Sequence, residues 1–177
     1  VLSPLKISVI YKICIQCRIL HIQSKREDHG KMMDGKYINP FLEATEEVLK
    51  TMAFLTPSPG KPYVHMKGEP AYGDVSGIIG LSGQARGSLA LSFKESCIFV
   101  IISNMLGETY KEINNEVADA VGELTNMISG VARQKLEAKG LKVTAAIPTV
   151  IVGKNHTIQH ILAGPSVIIP FHIGENT

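Results

Sequence analysis

The chain has 177 residues, 45% of them hydrophobic and 19% charged, which is enough apolar side chain for one packed domain and argues against disorder. Residues 1–36 hold seven Lys/Arg against three Asp/Glu and the remainder eleven against thirteen, so the net +2 comes from the leading segment and no basic stripe exists for nucleic acid. Three cysteines argue against a disulfide framework and fit a reducing cytoplasm, and no run approaches the eighteen uncharged apolar residues of a membrane-spanning helix.

The leading segment reads as foreign to the rest of the chain. Residues 5–22 are apolar but broken by Lys6, Lys12 and Arg18, which spoils a signal-peptide core. The charged run 24–31 reads as a linker, and Met32-Met33 stands just before Asp34-Gly35-Lys36-Tyr37. Residues 1–32 are therefore expected to be an extension and 33–177 the working domain. Cys14-x-x-Cys17 with His21 lacks both a fourth zinc ligand and the strand–helix setting of a redox pair. Two incidental thiols are expected there.

From Asn39-Pro40 onward, Phe41, Leu42, Thr45, Val48, Leu49 and Met52 recur at helical steps, with Asn39 as a cap and Pro40 at the first helical position. Thr56-Pro57-Ser58-Pro59-Gly60-Lys61-Pro62 reads as loop. Strands are expected over 63–67, 75–81 and 87–93, the last two joined as a hairpin through Ser82-Gly83-Gln84-Ala85-Arg86. A helix over 92–106 closes at Gly107 and carries Cys97 as a core residue. A longer helix covers 115–139 and stops at Gly140, and strands follow over 142–152, 157–162 and 167–171. This order predicts an α+β fold, a single layered domain with helices packed on a largely antiparallel sheet.

On the long helix, Val117, Ala120, Val121, Leu124, Ile128 and Val131 share one face at 100° per residue. Glu123 and Asn126 fall on the opposite side with Asp119 and Gly130, and Gly122 leaves the backbone nearby uncovered. Two residues three apart on a helix lie about 5–6 Å from each other. Each glycine lowers helix stability by about 1 kcal/mol relative to alanine, which points to close approach by another molecule. Glu-x-x-Asn alone is a weak pattern, since Glu112 and Asn115 repeat it, and two solvated residues on an exposed face would look the same.

The wider pattern is more specific. Asp119-x-x-x-Glu123-x-x-Asn126-Met127 resembles the signature helix of the CheC/CheX/FliY chemotaxis phosphatases, with Pro148 a little over twenty residues beyond Asn126 in Ile147-Pro148-Thr149-Val150-Ile151-Val152-Gly153. Ile38-Asn39-Pro40-Phe41, Gly77-Ile78-Ile79-Gly80-Leu81-Ser82-Gly83 with Gly87-Ser88, Asn104-Met105-Leu106-Gly107 and Ile168-Ile169-Pro170-Phe171 are similar to further blocks of that family. The CheC branch usually repeats the acid–amide motif on a second helix. Here Glu43 is followed at the third position by Glu46, so the single site resembles the CheX branch.

The resemblance implies a cytoplasmic phosphatase that hydrolyses the aspartyl phosphate of a phosphorylated CheY-like receiver domain. By resemblance Asn126 orients the attacking water, Glu123 reaches a lysine of the receiver, and Asp119, Gly122 and Gly130 face that partner. It implies no cofactor of the chain's own, with Mg2+ in the receiver, and a homodimer formed through exchanged sheet elements. The chain stops at Thr177, soon after the 167–171 strand, where such proteins usually continue through another segment. His156 and His160, about 13 Å apart along a strand, are expected to be surface or loop residues rather than joint metal ligands. The alternative from another class is a non-catalytic adaptor or flagellar-switch-like module that binds receivers without hydrolysis.

Overall fold

Val75, Gly77, Ile79 and Leu81 occupy alternate positions of one run, and Leu89, Leu91 and Phe93 do the same on the neighbouring run. Antiparallel pairing sets Val75 against Phe93, Gly77 against Leu91 and Ile79 against Leu89, so one face of the hairpin is apolar. The computed structural model describes residues 15–24, 35–65, 72–158 and 166–173. The hairpin strands are β4 (Tyr72–Gly83) and β5 (Ala85–Phe93), joined more tightly than expected, with only Gln84 between them. Gly83 turns the chain at φ +122°, where its missing side chain is required.

Every pairing in the described sheet is antiparallel, in the order β2-β8-β1-β5-β4-β6. Here β1 is Ile15–Ser24, β2 Pro57–Pro59, β6 Val143–Ala145 and β8 Ser166–Ile173. Two further strands extend the edges. β3 (Tyr63–His65) pairs β8 beside β2, and β7 (Thr149–Thr157) pairs β4 beside β6. The helices are α1 (Gly35–Met52), α2 (Glu95–Leu106) and α3 (Asn115–Ala138). Their apolar stripes, including Phe41, Leu49, Ile98, Ile101, Val121 and Ile128, form one core with Val75, Ile79, Leu89, Leu91, Ile169 and Phe171 of the sheet. The α+β layering expected from the sequence is what forms, and Cys97 is fully buried in it.

Several boundaries differ, each for a physical reason. The leading segment contributes β1, which runs between β5 and β8 with Arg18 opposite both Ala90 and Ile168. Cys14 lies outside the described residues, while Cys17 and His21 fall on β1. Helix α1 begins at Gly35, so Asn39 is inside it rather than capping it, and Pro40 is interior and buried. A proline there gives up its hydrogen bond to the carbonyl four residues earlier and crowds that carbonyl, a cost confined to the first turns of the helix, while its fixed φ is helical. The expected loop at 56–62 holds β2, whose two prolines are tolerable because it lies on the sheet edge. The strand expected over 142–152 is two strands, β6 and β7, separated by residues 146–148, and β7 continues through the expected break to Thr157. Pro148 has no N–H to give a ladder, which accounts for the interruption. Residues 159–162 of the expected 157–162 strand lie outside the described residues.

Candidate functional site

The helix that carries the motif starts where the chain supplies a cap. Asn114 is extended, and its side-chain oxygen accepts the N–H of Val117 at 3.0 Å. The false copy of the motif, Glu112 and Asn115, straddles this start, so its two residues do not share a helical face. At the far end Gly140 takes φ +80°, and Leu141 N–H reaches back to the Leu136 carbonyl.

Around α3, Val117, Val121, Leu124, Thr125, Ile128, Ser129, Ala132 and Leu136 are buried. Ala120 and Val131, expected in the core, are only half-buried, and the polar Thr125 and Ser129 go inward instead. Thr125 can do so because its hydroxyl donates to the Val121 carbonyl at 2.7 Å. The side chain then lies directly on Gly77 of β4, where the strand offers no side chain to meet it. Lys135 bonds Glu47 at 3.0 Å and Glu43 at 3.6 Å on α1, fixing the other flank of the helix. Glu47, with Glu43 behind it, raises the Lys135 pKa against the opposing effect of burial.

With its rotation fixed in this way, α3 presents Asp119, Glu123 and Asn126 to solvent, all three exposed. Gly130 has open space where a side chain would be, with no described atom within 4 Å apart from its neighbours and the adjoining backbone of its own helix. Gly122 differs. A side chain there would sit 3.4 Å from Val150 of β7, so this glycine lies where helix and strand meet. Asn126 is one turn further along and about 40° outward from Gly122 on the same flank, at 100° per residue.

The family described as Chemotaxis phosphatase CheX matches residues 75–172. A protein from Thermotoga maritima, CheY-P phosphatase CheX, is 30% identical over 128 residues, covering 72% of this chain and 82% of that one. The chain belongs to the CheX family. A crystal structure of a CheC-like superfamily protein from Shewanella sp. PV-4 matches 81% of this chain and 100% of its own, at 41% identity and a TM-score of 0.71. A CheX–CheY–BeF3–Mg2+ complex from Borrelia burgdorferi matches over 78% of this chain and 98% of its own, at 28% identity and a TM-score of 0.61.

In this CheX-family chain the candidate chemistry is confined to one exposed helical stripe. The acid that opens the incomplete motif on α1, Glu43, faces Lys135 instead of a partner. His156 is half-buried on β7, where its Nε2 bonds the buried Ser76 hydroxyl and its Nδ1 meets the Gly153 carbonyl, each at 2.7 Å. That is a sheet-bracing role rather than the surface one expected, and His160 lies outside the described residues. Among the described residues no three His, Cys, Asp or Glu side chains group to hold a metal ion, and no helix is long and apolar enough to cross a membrane. Reading 142–152 as one strand missed the β6–β7 connection, where Ile147 is 88% exposed. Its signal was there: an isoleucine directly before a proline inside an apolar run.

Proposed function

We propose that this chain is a phosphatase of a phosphorylated CheY-type response regulator. The observation that carries the reading is the exposed pairing of Glu123 and Asn126 on α3 in a chain of this family. A related protein is named for that activity, and another is known in complex with CheY, BeF3 and Mg2+. Water attacks an acyl phosphate in line, so catalysis is mostly positioning and charge stabilisation. An amide suits that work because it holds a water without changing protonation state.

Asn126 enters the receiver's site and orients the attacking water. Glu123, on the same face, pairs with a receiver lysine and fixes the approach. Asp119 and the open backbone at Gly130 border the docked partner, with Gly122 forming the floor against β7. The Mg2+ belongs to the receiver, and both proteins work in the cytoplasm as a phosphatase homodimer and its substrate. We assign the activity to residues 33–177, with β1 of the leading segment completing the sheet between β5 and β8.

The deciding experiment follows loss of aspartyl phosphate from a CheY-type receiver of the same organism, alone, with the protein, and with Asn126→Ala. Acceleration that Asn126→Ala abolishes is expected. Phosphorylation-dependent binding without acceleration would replace the phosphatase with an adaptor.

A further inference from the structure

The exposed stripe has an apolar neighbour that the motif does not include. Residues 146–148 join β6 to β7 and are held at both ends. Ala146 N–H donates to the Gly80 carbonyl at 2.9 Å, and Thr149 is already in register with Ile78 of β4. Pro148 fixes its own φ between these anchors. On this short, pinned connection Ile147 is 88% exposed, more than any other large apolar residue of the described chain. Single apolar side chains are common on protein surfaces, so the exposure matters here only because the mount is pinned at both ends and adjoins the helix that carries the motif.

Three contacts place it. Thr125 lies on Gly77, Gly122 meets Val150, and Gly77 pairs with Val150 across the ladder. From there α3 runs in the same direction as β4, because its end returns through β6 to pair with Leu81–Gly83 of β4. The connection at Gly80 therefore lies alongside the turn of α3 that follows Thr125, on the flank where Asn126 projects. A protein interface of ordinary size buries about 800 Å² per partner, a disc roughly 16 Å in radius. An interface of that size centred on Asn126 extends over the neighbouring β6–β7 connection.

We infer that Ile147 is a docking residue for the phosphorylated receiver, an apolar anchor beside the polar motif that sets affinity rather than the chemical step. This rests on the proposed phosphatase reading, but its readout is separate. Burying an isoleucine side chain under a partner acts on affinity, whereas water positioning by Asn126 acts on the maximal rate.

The test uses the full chain and a CheY-type receiver of the same organism. In hydrolysis assays, Ile147→Asp is expected to raise the half-saturating receiver concentration about tenfold with the maximal rate unchanged. Ile147→Leu should retain most of the affinity, and both variants should melt with the wild type. Binding of the beryllofluoride-activated receiver is measured in parallel, in an Asn126→Ala background. Unchanged affinity with Ile147→Asp overturns the inference, as does a lower maximal rate at unchanged half-saturation. Binding that Ile147→Asp weakens, without any hydrolysis by the wild type, removes the phosphatase reading and keeps the anchor. No receiver binding at all removes both.

Discussion

Thr125 of α3 occupies the space that a side chain on Gly77 of β4 would need. The contact fixes how closely the helix approaches the sheet and how it is rotated, and so where Asn126 and Glu123 point. Gly77→Ala would force helix and strand apart, since neither the Thr125 side chain nor the nearby Val121 carbonyl can yield cheaply. We expect a loss of about 1–3 kcal/mol in urea denaturation. Adding Thr125→Ala should recover part of it. Two effects that simply add would show that the contact does not couple the positions.

Asn126 and Glu123 are exposed and brace nothing in the described chain. Replacing either by alanine should leave stability within about 0.5 kcal/mol. The activities should separate. Asn126→Ala should lower the maximal dephosphorylation rate about a hundredfold or more, as loss of a positioned group does, whereas Glu123→Ala should also weaken receiver binding. Equal, mild effects from both variants would assign them to docking alone.

Gly130 offers a case in which stability and function are expected to move in opposite directions. Apart from its neighbours and the adjoining backbone of its own helix, no described atom lies near the place of its missing side chain, so Gly130→Ala should stabilise α3 by about 0.5–1 kcal/mol. If the receiver packs on that bare backbone, the same variant should raise the melting temperature and reduce receiver affinity. A stabilised protein with unaltered affinity would place Gly130 outside the interface.

The motif stripe was legible in the sequence because α3 is long, and the repeat Val117, Val121, Leu124 and Ile128 fixes its inner face without tertiary information. Thr125 and Ser129 were not legible as buried residues. Burying Thr125 depends on a glycine nearly fifty residues earlier coming under the helix, and no local pattern records that meeting. The same limit applies to β1. Its charges argue for an outside segment, and only pairing with β5 and β8, far along the chain, makes it a strand. Pro57-Ser58-Pro59 carries loop chemistry and becomes β2 solely because β8 presents an edge. Periodicity reports what one element does by itself, and these cases depend on two.

Asp74 ties three such elements together. Its carboxylate accepts the Glu95 N–H at the start of α2 at 3.0 Å and the Asn155 N–H in the bulge of β7 at 2.9 Å, with the Lys94 ammonium 3.6 Å away. Lys94, at the N-cap position of α2, makes no side-chain cap, so Asp74 supplies one from β4. Burial by itself would raise its pKa, but the Asn155 and Glu95 N–H groups and Lys94 together outweigh that and hold it below the ordinary 3.8. A carboxylate depressed in the folded state contributes stability that is complete above its unfolded value and lost as pH falls through the folded one. Asp74→Asn leaves one N–H facing an amide that cannot accept at both ends, and should cost about 1–3 kcal/mol at pH 7. In urea denaturation at a series of pH values, the gap between wild type and Asp74→Asn should stay constant from pH 7 to about 5 and narrow below 3.8. A gap that persists undiminished at pH 2 would assign the loss to shape rather than charge.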